Sequence, residues 1–320
     1  MSSNERLYHM RSLSPSETAA ALNYPGLIAA ISQVFASRAT APQRHHHTME
    51  KSSEPDAVLL LMPAWAQGFG VGGVKIVNVT PGNSTRGLPA ITASYLVFDE
   101  VTGEHKAILD GATLTAMRTA AVSALAAQHL APKDAKTLLV VGSGRVANEL
   151  PFAFRAVRAI NEVMVWSRTP ESATRQVARW AAKGIHATVV SNLQDGVSKA
   201  DIVSCATLAT EPVVMGSWLR PRQHVDLIGS YAPHMREVDD EAIQRARVFI
   251  DSEAALHETG DLISPLQSGA LTHDAILGTL YDLCNPVQKL WRSPEDITLF
   301  KGVGHALEDL AAAKLALSAT

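Results

Sequence analysis

Residues 136–170, KTLLVVGSGRVANELPFAFRAVRAINEVMVWSRTP, leave the chain few ways to fold. The apolar run Leu138–Val141 has the composition of a buried strand, and Gly142-Ser143-Gly144-Arg145-Val146-Ala147 follows it at once. A helical pattern comes next, then a second apolar run, Val163–Trp166. Strand, glycine turn, helix and strand within about 30 residues make a mononucleotide-binding unit of a parallel sheet. Here Gly142 allows the tight turn, Gly144 lets a pyrophosphate approach the backbone, and Ala147 lets the helix lie close on the strand. The new helix then turns unbonded N–H groups and its positive dipole end toward the phosphates.

The end of the second strand narrows the choice of cofactor. A free ribose 2′-hydroxyl usually meets Asp or Glu there; this chain has Ser167-Arg168-Thr169 instead. Two hydroxyls around a guanidinium suit a 2′-phosphate, which arginine binds through paired, charge-assisted hydrogen bonds. The other reading of Arg168 is a solvated loop residue. The expectation is NADP(H), with NADH left open.

At 320 residues the chain has room for two domains. Hydrophobic residues at 47% and charged residues at 18% describe an ordinary globular enzyme. A net charge of −3 and a pI near 6.5 give no reason to expect nucleic acid or an anionic membrane as partner. No apolar run reaches the roughly 18 residues of a membrane span. The opening MSSNERLYHMRS is polar, without a signal peptide's apolar core. Cys205 and Cys284 lack metal spacing and read as reduced packing residues, so the expected compartment is the cytoplasm.

Before the glycine unit, residues 15–37 read as two short helices broken at Pro25-Gly26. His45-His46-His47 in a loop or strand start looks like a metal lure. Three consecutive side chains seldom converge on one ion, so no metal is expected. Residues 57–64 form a strand, 65–73 a glycine-rich connection, and Val74–Val79 a strand with Lys75, Val77 and Val79 on one face. A lysine in an apolar strand needs a carboxylate or a ligand, unless it snorkels from a sheet edge. Residues 90–99 and 107–110 read as further strands, which suggests a separate mixed α/β domain. Arg118 then stands in a long Ala-rich helix over 112–130, where it serves either a structural ion pair or an anionic ligand. After the glycine unit the reading gives a helix over 170–183, a strand near 187–190, a helix near 193–199, and strands at 201–205, 224–229 and 248–251. Lys301-Gly302-Val303-Gly304 opens a last helix over 305–318, with an alanine-rich face turned to the first domain.

Four motifs appear in order over nearly the whole chain: MPAW…GGVKIVNVTPGN, LDGATLTAMRTAAVSALAA, VVGSGRVANE and FKGVGHALEDLAAAKLA. Together they resemble the ornithine cyclodeaminase and mu-crystallin family. ATLATEPVVMGSWLRP, IGSYAPHMREVDDE, IDSEAALHETGD and VWSRTPESA are more similar to its ketimine reductase branch. The resemblance implies a Rossmann-type doubly wound domain over 118–304. It also implies a mixed α/β substrate-binding and dimerisation domain over 1–117 and 305–320, and a homodimer. By the same resemblance Arg44, Lys75 and Arg118 hold the substrate carboxylate, with Ser230 and Gly304 beside the substrate. Thr119, Ala206, Thr207, Leu208, Gly229 and Val303 join Gly142–Ala147 and Ser167–Thr169 around the cofactor.

The departures are informative too. Cyclodeaminases of this family carry a Glu two residues before the Met-Pro and an Asp directly after the glycines of the fifth strand. The corresponding residues here are Leu60 and Ser230, and the family's substrate-side threonine is replaced by Ala90. Cyclodeamination needs a carboxylate to move protons at the side-chain amine. The expectation is therefore NADPH-dependent reduction of a small cyclic 2-imino acid, 1-pyrroline-2-carboxylate or 1-piperideine-2-carboxylate. Ornithine cyclodeaminase, alanine dehydrogenase-like reductive amination and a non-enzymatic NADPH-binding role are the alternatives.

Overall fold

Local capping shapes the start of the chain in the computed structural model, which describes residues 10–37, 39–287 and 293–319. The polar stretch 1–9 lies outside the described residues. After β1 (Arg11–Leu13), Ser14 and Glu17 form a reciprocal capping box at the head of α1 (Pro15–Ala20). The Asn23 side chain then accepts the Gly26 N–H at 2.8 Å and opens α2 (Tyr24–Phe35). The helix break therefore falls at 21–23, not at Pro25-Gly26. Proline costs nothing in a first turn, where its missing N–H has no partner in any case.

The described residues up to Arg118, with those from His305 onward, form one unit, and Thr119–Gly304 form another. In the first, β2 (Ala39–Thr40), β3 (His45–Met49), β4 (Ala57–Ala66), β5 (Val71–Val79), β6 (Ile91–Asp99) and β7 (His105–Asp110) complete a seven-stranded sheet. Its order is β1-β7-β6-β5-β4-β2, with β3 also on β4; every pairing is antiparallel except β1 with β7. The glycine-rich connection shrinks to 67–70, because Trp65–Ala66 and Val71–Gly73 extend the two strands that it joins. The three histidines lie along β3 with exposed side chains. The C-terminal helix, Ala306–Ser318, packs on α2, β4, β5 and β6 through the buried face Ala306–Ala313 and Ala316. α3 (Gly111–Leu130) carries Arg118 near its start.

In the second unit, β8 (Thr137–Val141) leads through the glycine turn into α4 (Arg145–Arg155), and β9 (Glu162–Trp166) leads into α5 (Pro170–Ala181). β10 (Ala187–Val189), α6 (Leu193–Lys199), β11 (Ile202–Cys205), β12 (His224–Leu227), β13 (Ala246–Ile250), β14 (Ile276–Thr279) and β15 (Ile297–Lys301) follow. All eight strands pair in parallel, in the order β10-β9-β8-β11-β12-β15-β13-β14. Lys301 thus ends a strand rather than opening the last helix, and the last strand in sequence sits between β12 and β13. ITLFK is too short for periodicity to separate strand from helix. The buried strands β8 and β11, apolar apart from Thr137 and Ser204, reflect a sheet covered on both faces. Among the described residues, no helix is long and apolar enough to cross a membrane.

Candidate active site

Lys75 lies on β5, with Met62 of β4 on one side and Tyr95 of β6 on the other. It is 3% exposed, far from the edge that snorkelling requires. Its Nζ sits 2.7 Å from Asp309 Oδ2, and Asp309 Oδ1 accepts from Arg118 Nε at 3.0 Å. Arg118 Nη1 bonds Glu308 Oε2, and Glu308 Oε1 accepts the His305 N–H at 3.0 Å. Glu308 and Asp309 are fully buried. The first unit therefore brings Lys75 and Arg118 together across two adjacent carboxylates in the first turn of the C-terminal helix. Acids there also complement the helix dipole.

Burial and the neighbouring Arg118 pull the Lys75 ammonium down to about 8, while Asp309 and Glu308 hold it up. The Tyr95 hydroxyl is buried beside this cluster, and burial followed by the Asp309 charge pushes it well above the usual phenol range. Arg44 immediately precedes β3, whose first pair is His45 with Leu61. Continuing that register puts half-buried Arg44 level with Met62, the partner of Lys75. Leu60 lies half-buried on β4, opposite Val77.

In the second unit, Gly142 has φ 122°, and a Cβ there would meet the Ala206 carbonyl oxygen at 2.5 Å. Gly144 caps α4, and a Cβ there would meet nothing within 4 Å, so its surface is open to a ligand. Arg145, Val146 and Ala147 supply first-turn N–H groups, with Ala147 fully buried against the sheet. The Ser143 and Ser167 hydroxyls are 3.2 Å apart, which ties the glycine turn to the end of β9. Arg168 and Thr169 are exposed there. These residues fit a dinucleotide: a pyrophosphate against open backbone, and a guanidinium with hydroxyls at the ribose end.

The carboxyl ends of the other strands are held by buried acids. Glu237 accepts from Thr207 N (2.7 Å), Thr207 Oγ1 (2.8 Å) and Gly229 N (2.8 Å). Asp251 Oδ2 accepts from Val303 N and Gly304 N, each at 2.7 Å. Ala206 and Thr207 are half-buried, and Leu208 is 74% exposed. Ser230 is fully buried; its hydroxyl donates to the Met235 carbonyl at 2.6 Å and lies 2.6 Å from Thr259 Oγ1. That hydroxyl serves the interior of the loop. Thr119 is a half-buried residue of α3.

The family model for the ornithine cyclodeaminase/mu-crystallin family matches residues 13–318. The chain belongs to that family. Within it, a Delta(1)-pyrroline-2-carboxylate reductase of Paracoccus denitrificans is 43% identical over 260 residues, covering 80% of this chain and 81% of that protein. The ketimine reductase mu-crystallin of Rattus norvegicus is 37% identical over 256 residues, covering 80% and 78%. A solved structure of Thermococcus litoralis Delta(1)-pyrroline-2-carboxylate reductase in complex with NADH and L-proline superposes with a TM-score of 0.90. It shares 32% identity and covers 97% of each chain.

Sequence reasoning missed the acids: Glu308, Asp309, Glu237, Asp251 and Asp261. The signal for the first two is present in HALEDLAAAKLA, where adjacent carboxylates interrupt an apolar helix face and need buried cations.

Proposed function

We propose that this chain is an NADPH-dependent reductase of a small cyclic 2-imino acid, 1-pyrroline-2-carboxylate or 1-piperideine-2-carboxylate, yielding L-proline or L-pipecolate. The observation that carries the reading is the pair Lys75 and Arg118, buried and preoriented, in a chain with Leu60 and Ser230 at the two positions where a cyclodeaminase needs carboxylates. The reductases among the relatives support the same reaction class.

Arg44, Lys75 and Arg118 bind the substrate carboxylate and fix the ring's orientation. Bound nicotinamide supplies the hydride that adds to the C=N carbon. The Lys75 ammonium is a proton donor matched to near-neutral pH, because its affinity for the proton is already lowered. Gly142–Ala147 cradle the pyrophosphate, and Ser167, Arg168 and Thr169 meet the 2′-phosphate. The remaining family readings, a homodimer joined through the first unit and a cytoplasmic location, belong to this proposal as well.

Oxidation of NADPH with freshly generated pyrroline-2-carboxylate and piperideine-2-carboxylate tests the reading, with NADH in parallel and ornithine plus NAD as control. Turnover of either ring with NADPH supports it. Proline and ammonia formed from ornithine, without imine reduction, overturns it. Arg168→Ala is expected to erase a preference for NADPH over NADH.

A further inference from the structure

Glu237 is fully buried, and its carboxylate accepts from two turns of the chain, three backbone N–H groups and one threonine hydroxyl. Oε1 accepts Thr207 N at 2.7 Å and Thr207 Oγ1 at 2.8 Å; Oε2 accepts Gly229 N at 2.8 Å and Ser230 N at 3.3 Å. Thr207 follows β11 and Gly229 follows β12, so one side chain fixes the carboxyl ends of two neighbouring strands. The approach is close: a Cβ on Gly229 would lie 2.1 Å from the Thr207 carbonyl oxygen and 2.4 Å from Glu237 Oε1. Ligands of open parallel sheets bind at such strand ends. We propose that Glu237 is the positioning residue for the nicotinamide end of the cofactor, holding the Thr207 and Gly229 turns at the spacing that the ring requires.

This inference rests on the cofactor reading above. Asp261 supports the arrangement from the helix Gly260–Ser268, accepting the Glu237 N–H at 2.7 Å. Lys301, at the end of β15, lies 3.1 Å from Asp261 Oδ2. Burial pushes Glu237 up to about 7, with Asp261 adding to the rise and Lys301 and the Thr207 hydrogen bonds opposing it. The Cys205 thiol, at the end of β11, is pushed up by its own burial and then by Glu237. Near neutral pH, a proton on Glu237 takes one acceptor position, and one turn loses a partner.

Glu237→Gln keeps the shape and turns an amide N–H₂ toward one of the two turns. The test is titration of the whole protein with NADPH and, separately, with 2′,5′-ADP, which lacks the nicotinamide. The parent is expected to lose NADPH affinity as pH falls from 8 to 6. E237Q is expected to bind NADPH about tenfold more weakly at pH 8, the size of one lost charged hydrogen bond. Its pH step relative to 2′,5′-ADP should vanish, while 2′,5′-ADP itself changes less than about twofold. Equal affinities for NADPH in parent and E237Q overturn the inference. Equal losses of both ligands overturn it too, since they mark Glu237 as a general structural residue. A parent that binds neither NADPH nor NADH sinks the cofactor reading itself, and the inference with it.

Discussion

Lys75 and Asp309 form an ion pair at 2.7 Å in which neither side chain is more than 3% exposed. With Arg118 and Glu308 beside them, two cations face two carboxylates, so the cluster is neutral before substrate arrives. In the proposed role, its pull on a substrate carboxylate would come from N–H groups already aimed and already dry, and from Arg44, rather than from net charge. Preorganised donors of this kind cost little reorganisation when the ligand binds.

Asp309 also sets the pH at which Lys75 gives up its proton. Lys75 titrates near 8, held up by Asp309 against burial and Arg118. Asp309→Asn removes that support and lowers the lysine further. The basic limb of kcat/KM for imine reduction is expected to move to lower pH in D309N. A limb that stays in place would show that Lys75 is not the titrating group.

Arg118 is expected to carry two separable roles, an ion pair in the fold and a contact to the substrate. Arg118→Met should cut turnover and also cost about 3–5 kcal/mol of stability, because it removes the guanidinium paired with buried Glu308 and leaves Asp309 to Lys75 alone. Adding Glu308→Gln to Arg118→Met is expected to recover part of that stability in denaturant unfolding, with substrate affinity unrestored. Recovery of both would mean that Arg118 holds the fold alone.

Two glycines of the same turn are expected to fail differently. Gly142→Ala puts a side chain at φ 122° against the Ala206 carbonyl, so the unliganded protein should lose stability. Gly144→Ala meets no protein atom within 4 Å, so its unliganded stability should stay within about 1 kcal/mol of the parent. Its loss should appear in cofactor affinity. Thermal unfolding with and without NADPH separates the two; equal apoprotein losses would refute the assignment of Gly144 to the ligand.

Asp226 gives a stability prediction with a defined sign. It is fully buried on β12, accepts from Ser204 Oγ, and burial pushes it up to about 6. The folded state therefore holds a proton that the unfolded state releases near pH 4, and this contribution to stability falls as pH rises from about 4 to 6. Asp226→Asn removes the buried charge. It should match the parent near pH 4 and exceed it by on the order of 2 kcal/mol at pH 7.5 in urea unfolding. A constant difference across that range would contradict the assignment.

Much of the second unit is legible because its signals are local: a glycine turn between two apolar runs, and a small residue where helix meets strand. β15 is not, because a run as short as Ile297–Lys301, with three apolar residues, looks alike in a strand and in a buried helix turn. In the first unit, Lys75 and Arg118 stand out as cations in apolar surroundings. Their partners do not, since Glu308 and Asp309 lie 190 and 191 positions beyond Arg118, and nothing nearby in sequence couples them. The same holds for Glu237, whose role becomes visible only when the Thr207 and Gly229 turns are seen to share it.

The chain's connectivity imposes an order on its birth. A ribosome delivers β4, β5 and α3 long before it delivers the helix Ala306–Ser318 that belongs in the same unit. Until then Lys75 and Arg118 are cations without their two carboxylates, and the sheet face covered by that helix has no lid. The nascent first unit must remain open while Thr119–Gly304 emerges whole and able to fold. The first turn of that helix, with Glu308 and Asp309, therefore completes the proposed substrate clamp late, so synthesis interrupted before it yields chains able to form the second unit without a completed clamp.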